Sequence, residues 1–281
     1  MESVDWNSLL ARQLLTETQA AVMEDALIAR LDRTLSIFGT PKYPIDLPLV
    51  ASVFGIEPKF KYVEMAQAGR LVHLDGKYHI EVNKAHPNVR KRFSIAHEIG
   101  HKAILTSKIG VPKERISYNP DIETGEEEEI CDLFATMLLG LRPTFISETL
   151  GDRGCSLATV DFLAKYLDVS FEAVIRAIAC YGQIPAIFLY CLPAAMGNDE
   201  IFYIQRYYVT RRFPYTLLGR TILPHYNCLK RAWLGQGTAR TVEHWQNESG
   251  LGASCIFESM RMPIYVGDSK KDGLVVAVIA Q

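Results

Sequence analysis

The chain has 281 residues, 48% of them hydrophobic, with 30 Lys and Arg against 32 Asp and Glu and a formal net charge of -2. That length can bury two modest cores, or one catalytic core with an appended module. The near-neutral balance excludes a global electrostatic footprint for wrapping nucleic acid, so any partner has to be sought in local chemistry.

Met1 to Asp5 is acidic and lacks a basic region followed by an apolar stretch, and the most apolar run, Ile184 to Met196, is short and carries Pro185 and Pro193. Neither reads as a targeting signal or a bilayer span, so the expectation is a cytoplasmic protein with no membrane role. The six cysteines (Cys131, Cys155, Cys180, Cys191, Cys228, Cys255) are scattered. They lack the paired spacing of a structural zinc site and the density of a disulfide scaffold, and read mostly as small buried hydrophobes.

Leu10 to Phe38 is rich in helix formers, and Ala21, Met23, Ala26, Leu27, Leu31 and Leu35 recur at helical spacing, which predicts one helix ended by Gly39, Pro41 and Pro44. Asp46 opens a short helical run, Leu47 to Phe54, that Gly55 stops. Phe60 to Val63, Gly69 to Leu74 and Lys77 to Val82 favour strands, with Asp75-Gly76 as a tight-turn signal, predicting a small antiparallel sheet. A helix from Pro87-Asn88 to about Leu105 and another from about Glu126 to Leu141 follow, the second closed by Arg142-Pro143. Ser156 to Tyr181 reads as two helices joined at Leu167 to Ser170, in the helix-turn-helix manner. Beyond Pro185 the texture is that of strands, at Ile187 to Leu192, Ile201 to Val209, Ser254 to Glu258, Met262 to Val266 and Leu274 to Ile279.

His97-Glu98-Ile99-Gly100-His101 is an H-E-x-x-H pattern. Residues four apart share one helix face, so both imidazoles can converge on one ion, while Glu98 can hold the water to be activated. Three fixed residues also occur by chance, and either histidine could be an ordinary hydrogen-bonded core residue. A third ligand decides between the readings. The acidic run Glu126 to Glu129 holds the candidates, set against the alternative of a solvated helix start. Phe134, Ala135, Leu138 and Leu139 mark a buried face, and that phase favours Glu128 over Glu129, with Asp132 one turn on as an acceptor for a histidine ring nitrogen.

These residues, taken in order, resemble the ImmA/IrrE family of metallopeptidases. The likeness runs from Pro44-Ile45-Asp46-Leu47 and Gly55-Ile56 through Arg92 to His101, then to Glu128 and Cys131-Asp132-Leu133-Phe134-Ala135, about half of the chain. Leu138-Leu139-Gly140-Leu141-Arg142-Pro143 stands where family members carry a Leu-Leu-Met-Pro-like end, a departure that leaves the ligands untouched. The resemblance implies an α+β protein with a mainly helical zincin-like core and makes Glu128, four positions before Asp132, the third zinc ligand. The closer likeness is to the IrrE-type radiation-response branch, which implies a helix-turn-helix-like segment and a β-rich, GAF-like C-terminal domain. Residues 1–150, 151–183 and 184–281 correspond to these parts, with Arg261 to Val266 in the last.

The expected activity is zinc-dependent endoproteolysis with His97, His101 and Glu128 on the metal, Glu98 as general base and Asp132 behind a histidine. Manganese or iron could occupy such a site. The resemblance implies a helix-turn-helix transcriptional repressor as protein substrate, cleaved to derepress stress, DNA-damage or mobile-element genes. Tyr118, Arg176, Tyr181 and His225 are candidate oxyanion donors, with nothing in their spacing to choose among them. A rival reading is a DNA-binding regulator with a vestigial protease core. Asp161, Asp168 and Glu172 in the helix-turn-helix-like segment oppose it. The cluster Arg206, Arg211, Arg212, Arg220, Lys230 and Arg231, with Tyr207, Tyr208, Phe213 and Tyr226, is the feature that could favour it.

Overall fold

The helical stretch foreseen over residues 10–38 is two helices. A computed structural model describes residues 6, 9–39, 42–105, 125–196, 199–214, 222–223, 227–235, 237–246, 252–266 and 269–280. In it α1 (Leu9–Thr18) ends where Gln19 adopts φ 55° and the Ala20 amide donates 3.1 Å to the Leu15 carbonyl, and α2 (Met23–Leu35) continues into a 3-10 turn at Ser36–Phe38. A left-handed residue closes the helix without glycine or proline, which is why composition did not mark the break. Leu27, Leu31 and Leu35 then bury one face of α2.

The chain divides into two compact units, residues 1–142 with 164–170, and residues 143–163 with 171–281. In the first unit, α3 (Leu47–Val53) is capped by the Asp46 side chain, which accepts from the Leu49 amide at 3.0 Å. The adjoining sheet has the order β1-β3-β2, from β1 (Lys61–Val63), β2 (Gly69–Leu74) and β3 (Lys77–Asn83). It is mixed, not antiparallel as expected: β2 pairs antiparallel with β3, but β1 pairs parallel with it. The segment 64–68 carries the chain to the far side of β3, held by Asn83, whose side-chain amide donates to the carbonyls of Met65 (2.5 Å) and Gln67 (3.3 Å). At the β2–β3 turn both Asp75 (φ 50°) and Gly76 (φ 77°) have the positive φ that a tight hairpin demands.

Two helices complete this unit, α4 (Asn88–Leu105) and α5 (Gly125–Leu138). Leu71, Ile80 and Val82 of the sheet are buried, as are Ile95, Ala96, Ile99, Ala103 and Ile104 of α4 and Ile130, Phe134, Ala135 and Leu138 of α5. Arg92 anchors α4, donating to the Ile45 carbonyl at 3.0 Å and lying 3.1 Å from the Asp168 carboxylate.

The second unit begins with a helix that the sequence reading missed, α6 (Pro143–Arg153), where proline sits at the tolerated first position. α7 (Leu157–Leu167), whose residues from Ala164 on are counted with the first unit, and α8 (Phe171–Tyr181) follow. Six antiparallel strands, β4 (Ala186–Met196), β5 (Asp199–Val209), β6 (Ile222–Leu223), β7 (Ala239–Gln246), β8 (Gly252–Val266) and β9 (Ser269–Ala280), lie in the order β6-β5-β4-β9-β8-β7. The two strands foreseen at 254–258 and 262–266 are one long strand that pairs continuously with β9 through Pro263, opposite Asp272. α9 (Asn227–Trp233) and β7 were not foreseen. Cys228, Leu229 and Ala232 of α9 join Ile187, Leu189, Phe257 and Val276 in the core, and every residue from Ala186 to Cys191 is buried, so β4 reads as an unbroken apolar run. Among the described residues there is no disulfide, and no single helix is long and apolar enough to cross a membrane.

Gly140, at φ 97°, ends the α5 segment beneath Tyr43 and Leu167. A Cβ there would collide with the Tyr43 ring and come within 2.9 Å of Leu167 Cδ2. Gly140→Ala is therefore expected to cost about 2 kcal/mol or more, from backbone strain and overpacking together, read as a lowered urea midpoint.

Candidate metal centre

α4 turns His97, Glu98 and His101 out of an otherwise apolar surface, and α5 runs against it at Gly100. A Cβ on Gly100 would lie 3.1 Å from Phe134 Cδ1 and 3.5 Å from the Cys131 backbone, so the missing side chain is what admits α5 this closely. The approach carries Glu128, on the first turn of α5, to both rings.

His97 Nε2 lies 3.1 Å from His101 Nε2 and 3.1 Å from a Glu128 carboxylate oxygen, whose other oxygen lies 3.3 Å from His101 Nε2. Ligands at bond lengths of ~2.0–2.1 Å around a tetrahedral ion stand about 3.3 Å apart, so these donors match the spacing a zinc-sized ion requires. The three residues form a group that could hold a metal ion. Of the two acids weighed from helical phase, Glu128 meets the rings, while Glu129 is exposed.

The outer ring nitrogens are also engaged. Asp132 Oδ1 lies 2.8 Å from His97 Nδ1, and Cys131 Sγ lies 3.4 Å from His101 Nδ1. A ring held at its far nitrogen keeps a fixed tautomer and presents the other nitrogen to an ion. Glu98 is 5% exposed, and Gly69 at the start of β2 packs over it: a Cβ at 69 would stand 3.2 Å from Glu98 Oε1 and 3.3 Å from Ser94 Cβ. Gly69 and Cys131 were not singled out from the sequence. The signal for Cys131 was its place beside Asp132 on a helix already suspected of carrying a ligand. Gly69 had none, because its neighbour is remote in sequence.

Arg176 and Tyr181 belong to α8 in the second unit, and Tyr118 and His225 lie outside the described residues. Within the basic cluster Arg206 is engaged: it donates 2.8 Å to Glu172 and 2.8 Å to the Tyr265 carbonyl, and its guanidinium sits 4.5 Å from the centre of the Tyr190 ring. Tyr208 donates to the same Glu172. Arg211, Arg212, Lys230 and Arg231 are exposed, and Arg220 and Tyr226 lie outside the described residues.

A helical pair offering two imidazoles and a carboxylate to one point, beside a small sheet, fits a metallopeptidase-type core. Residues 60–179, less than half of the chain, match the peptidase M78 family model, described as the IrrE N-terminal-like domain. A relative is the radiation response metalloprotease IrrE of Deinococcus radiodurans, 27% identical over 192 residues that make up 63% of this chain and 56% of that protein. The alignment thus spans little more than half of the relative. A Mycobacterium tuberculosis transcriptional regulator has a similar fold, with a TM-score of 0.57 over 96% of this chain and 79% of that one, at 16% identity.

Burial of the His97 ring works against its charged form. The Asp132 hydrogen bond and the charges of Glu98, Asp132 and Glu128 outweigh that, holding its pKa above the ordinary 6.5. Protons and metal compete for the same nitrogen, and metal retention should therefore weaken as pH falls through a point above 6.5. Equilibrium dialysis against zinc across pH 5–8 checks this; retention unchanged down to pH 5 would contradict it. Glu128→Ala should lower bound metal at neutral pH, read by elemental analysis of the dialysed protein.

Proposed function

We propose that the protein is a zinc-dependent endopeptidase whose substrate is a helix-turn-helix transcriptional repressor, cleaved in the cytoplasm to release stress or mobile-element genes. The observation that carries the enzymatic part is the convergence of His97 Nε2, His101 Nε2 and the Glu128 carboxylate within 3.3 Å of one another. Two imidazoles and one carboxylate, with a position left for water, form the donor set of catalytic zinc sites; manganese or iron is the second choice for the same ligands. The match of residues 60–179 to the peptidase M78 family model supports the same reading.

A zinc ion held there supplies Lewis acidity, polarising a peptide carbonyl and lowering the pKa of a water to about 7. Glu98, one position along the helix from His97 and nearly buried, takes the proton from the attacking water and returns it to the departing amide nitrogen. Burial keeps bulk water from competing for that carboxylate, and Gly69 leaves it the room to turn between the two tasks. Asp132 holds His97 in the tautomer that faces inward.

A stress-response role draws support from the name of the Deinococcus relative, a radiation response metalloprotease, and the repressor as substrate rests on the family resemblance. The six-stranded antiparallel sheet with α9 in its core suits the GAF-like sensing module that the resemblance implies. For the DNA-reading alternative, Arg206 of the basic cluster is tied to Glu172 and Tyr265 while Arg211, Arg212, Lys230 and Arg231 are exposed, so a salt-dependent shift with duplex DNA is the observation that would favour that reading.

The test is to incubate zinc-loaded protein with the helix-turn-helix protein encoded beside its gene, with and without a chelator. Specific fragments that vanish with chelator are expected; an intact partner under every condition would count against the repressor assignment. Glu98→Gln should slow cleavage by about 10²-fold or more while the zinc content per chain stays near that of the parent, because the ligands remain. Undiminished turnover in that variant removes Glu98 from the chemistry.

A further inference from the structure

We infer that Cys131 is a positioning residue for the metal: its sulfur accepts the outer N–H of His101 and so holds that ring with Nε2 toward the ion. The inference rests on the metallopeptidase reading of the site and names a partner for the second histidine, where Asp132 serves the first.

Cys131 is 2% exposed on α5, and its Sγ stands 3.4 Å from His101 Nδ1. That contact lies behind the ring. The two nitrogens of an imidazole point in nearly opposite directions, and the His101 nitrogen that meets His97 and Glu128 is Nε2. The sulfur is therefore placed as a partner of the ligand and not as a further ligand.

The direction of the hydrogen bond follows from metal binding. A neutral imidazole carries one N–H, and an ion on Nε2 requires that proton to sit on Nδ1. Nδ1–H then donates to the sulfur, a weak acceptor 3.4 Å away. With the proton on the other nitrogen, Nε2 would aim an N–H at the ion and exclude it. The sulfur can accept from Nδ1–H only in the tautomer that leaves Nε2 free for the ion, so this contact and metal binding share one ring state.

Placement of the sulfur depends on Gly100. The contact needs the α5 backbone at Cys131 close to α4, and Gly100 meets that backbone at the 3.5 Å Cβ distance described above. The two histidines are accordingly supported unequally. His97 has a charged acceptor that is 61% exposed, and His101 a buried thiol.

Zinc affinity is measured by competition with a chromophoric chelator for the full-length parent, Cys131→Val and Cys131→Ser. Cys131→Val fills the space but accepts no hydrogen bond, and is expected to weaken zinc binding by roughly 3- to 10-fold, less than the ~10–100-fold typical of stronger outer partners. Cys131→Ser restores an acceptor and should stay within about twofold of the parent. Equal affinity in parent and Cys131→Val overturns the inference, and so does a serine variant as weak as the valine one, which would indicate packing alone. Should Cys131→Val fail to fold, Cys131→Ala, which removes the sulfur without adding bulk, takes its place: weaker zinc binding than the parent is expected, and affinity equal to the parent overturns the inference. A parent protein that retains no zinc would defeat the metallopeptidase reading itself, whereas zinc retention with an indifferent Cys131→Val defeats only the role of the thiol.

Discussion

The centre depends on how closely two helices pass at one glycine. α4 alone can offer two imidazoles on a common face, but a pair of histidines four residues apart is not yet a catalytic site. What completes it is α5 crossing at Gly100, where any side chain would meet Phe134 and the Cys131 backbone. From that crossing three consequences follow on successive parts of α5: Glu128 reaches both rings, Asp132 reaches the far nitrogen of His97, and Cys131 reaches the far nitrogen of His101. A Cβ at Gly100 would press on the Phe134 ring at this same crossing.

The small sheet has a complementary task. β2 enters at Gly69 directly over Glu98, and the buried Leu71, Ile80 and Val82 belong to the same unit's core. The parallel pairing of β1 is maintained by Asn83, which spends its side-chain amide on the carbonyls of the 64–68 crossover. A buried polar residue of this kind has to satisfy its hydrogen-bonding groups, and here it does so by fixing the path of a loop.

Local signals were legible where one residue controls one event. Asp46 as a helix cap, Asp75-Gly76 as a tight turn and the span of α4 all follow from short-range chemistry. The histidine spacing was equally plain, and helical phase together with the family resemblance ranked Glu128 above Glu129. What escaped were features set by distant partners. The parallel register of β1 depends on a crossover that a five-residue link does not announce. The break between α1 and α2 lies at Gln19, a residue with no reputation as a breaker, and Pro143 marked the end of one helix and the start of another. The merging of two expected strands into β8 arises because its ladder with β9 continues through a proline.

His101 and Glu128 come from different helices, with a long stretch of chain between them, and this has a bearing beyond chemistry. An ion shared by both acts as a removable cross-link, and whatever binds only the native state adds to its stability by mass action. At a free ion concentration of 100 times the dissociation constant that gain is about 2.7 kcal/mol, a sizeable share of what ordinarily separates a folded domain from its unfolded chain. With an ion held in this way, the persistence of the folded domain would be tied to metal supply, and scarcity would thin the population of intact molecules.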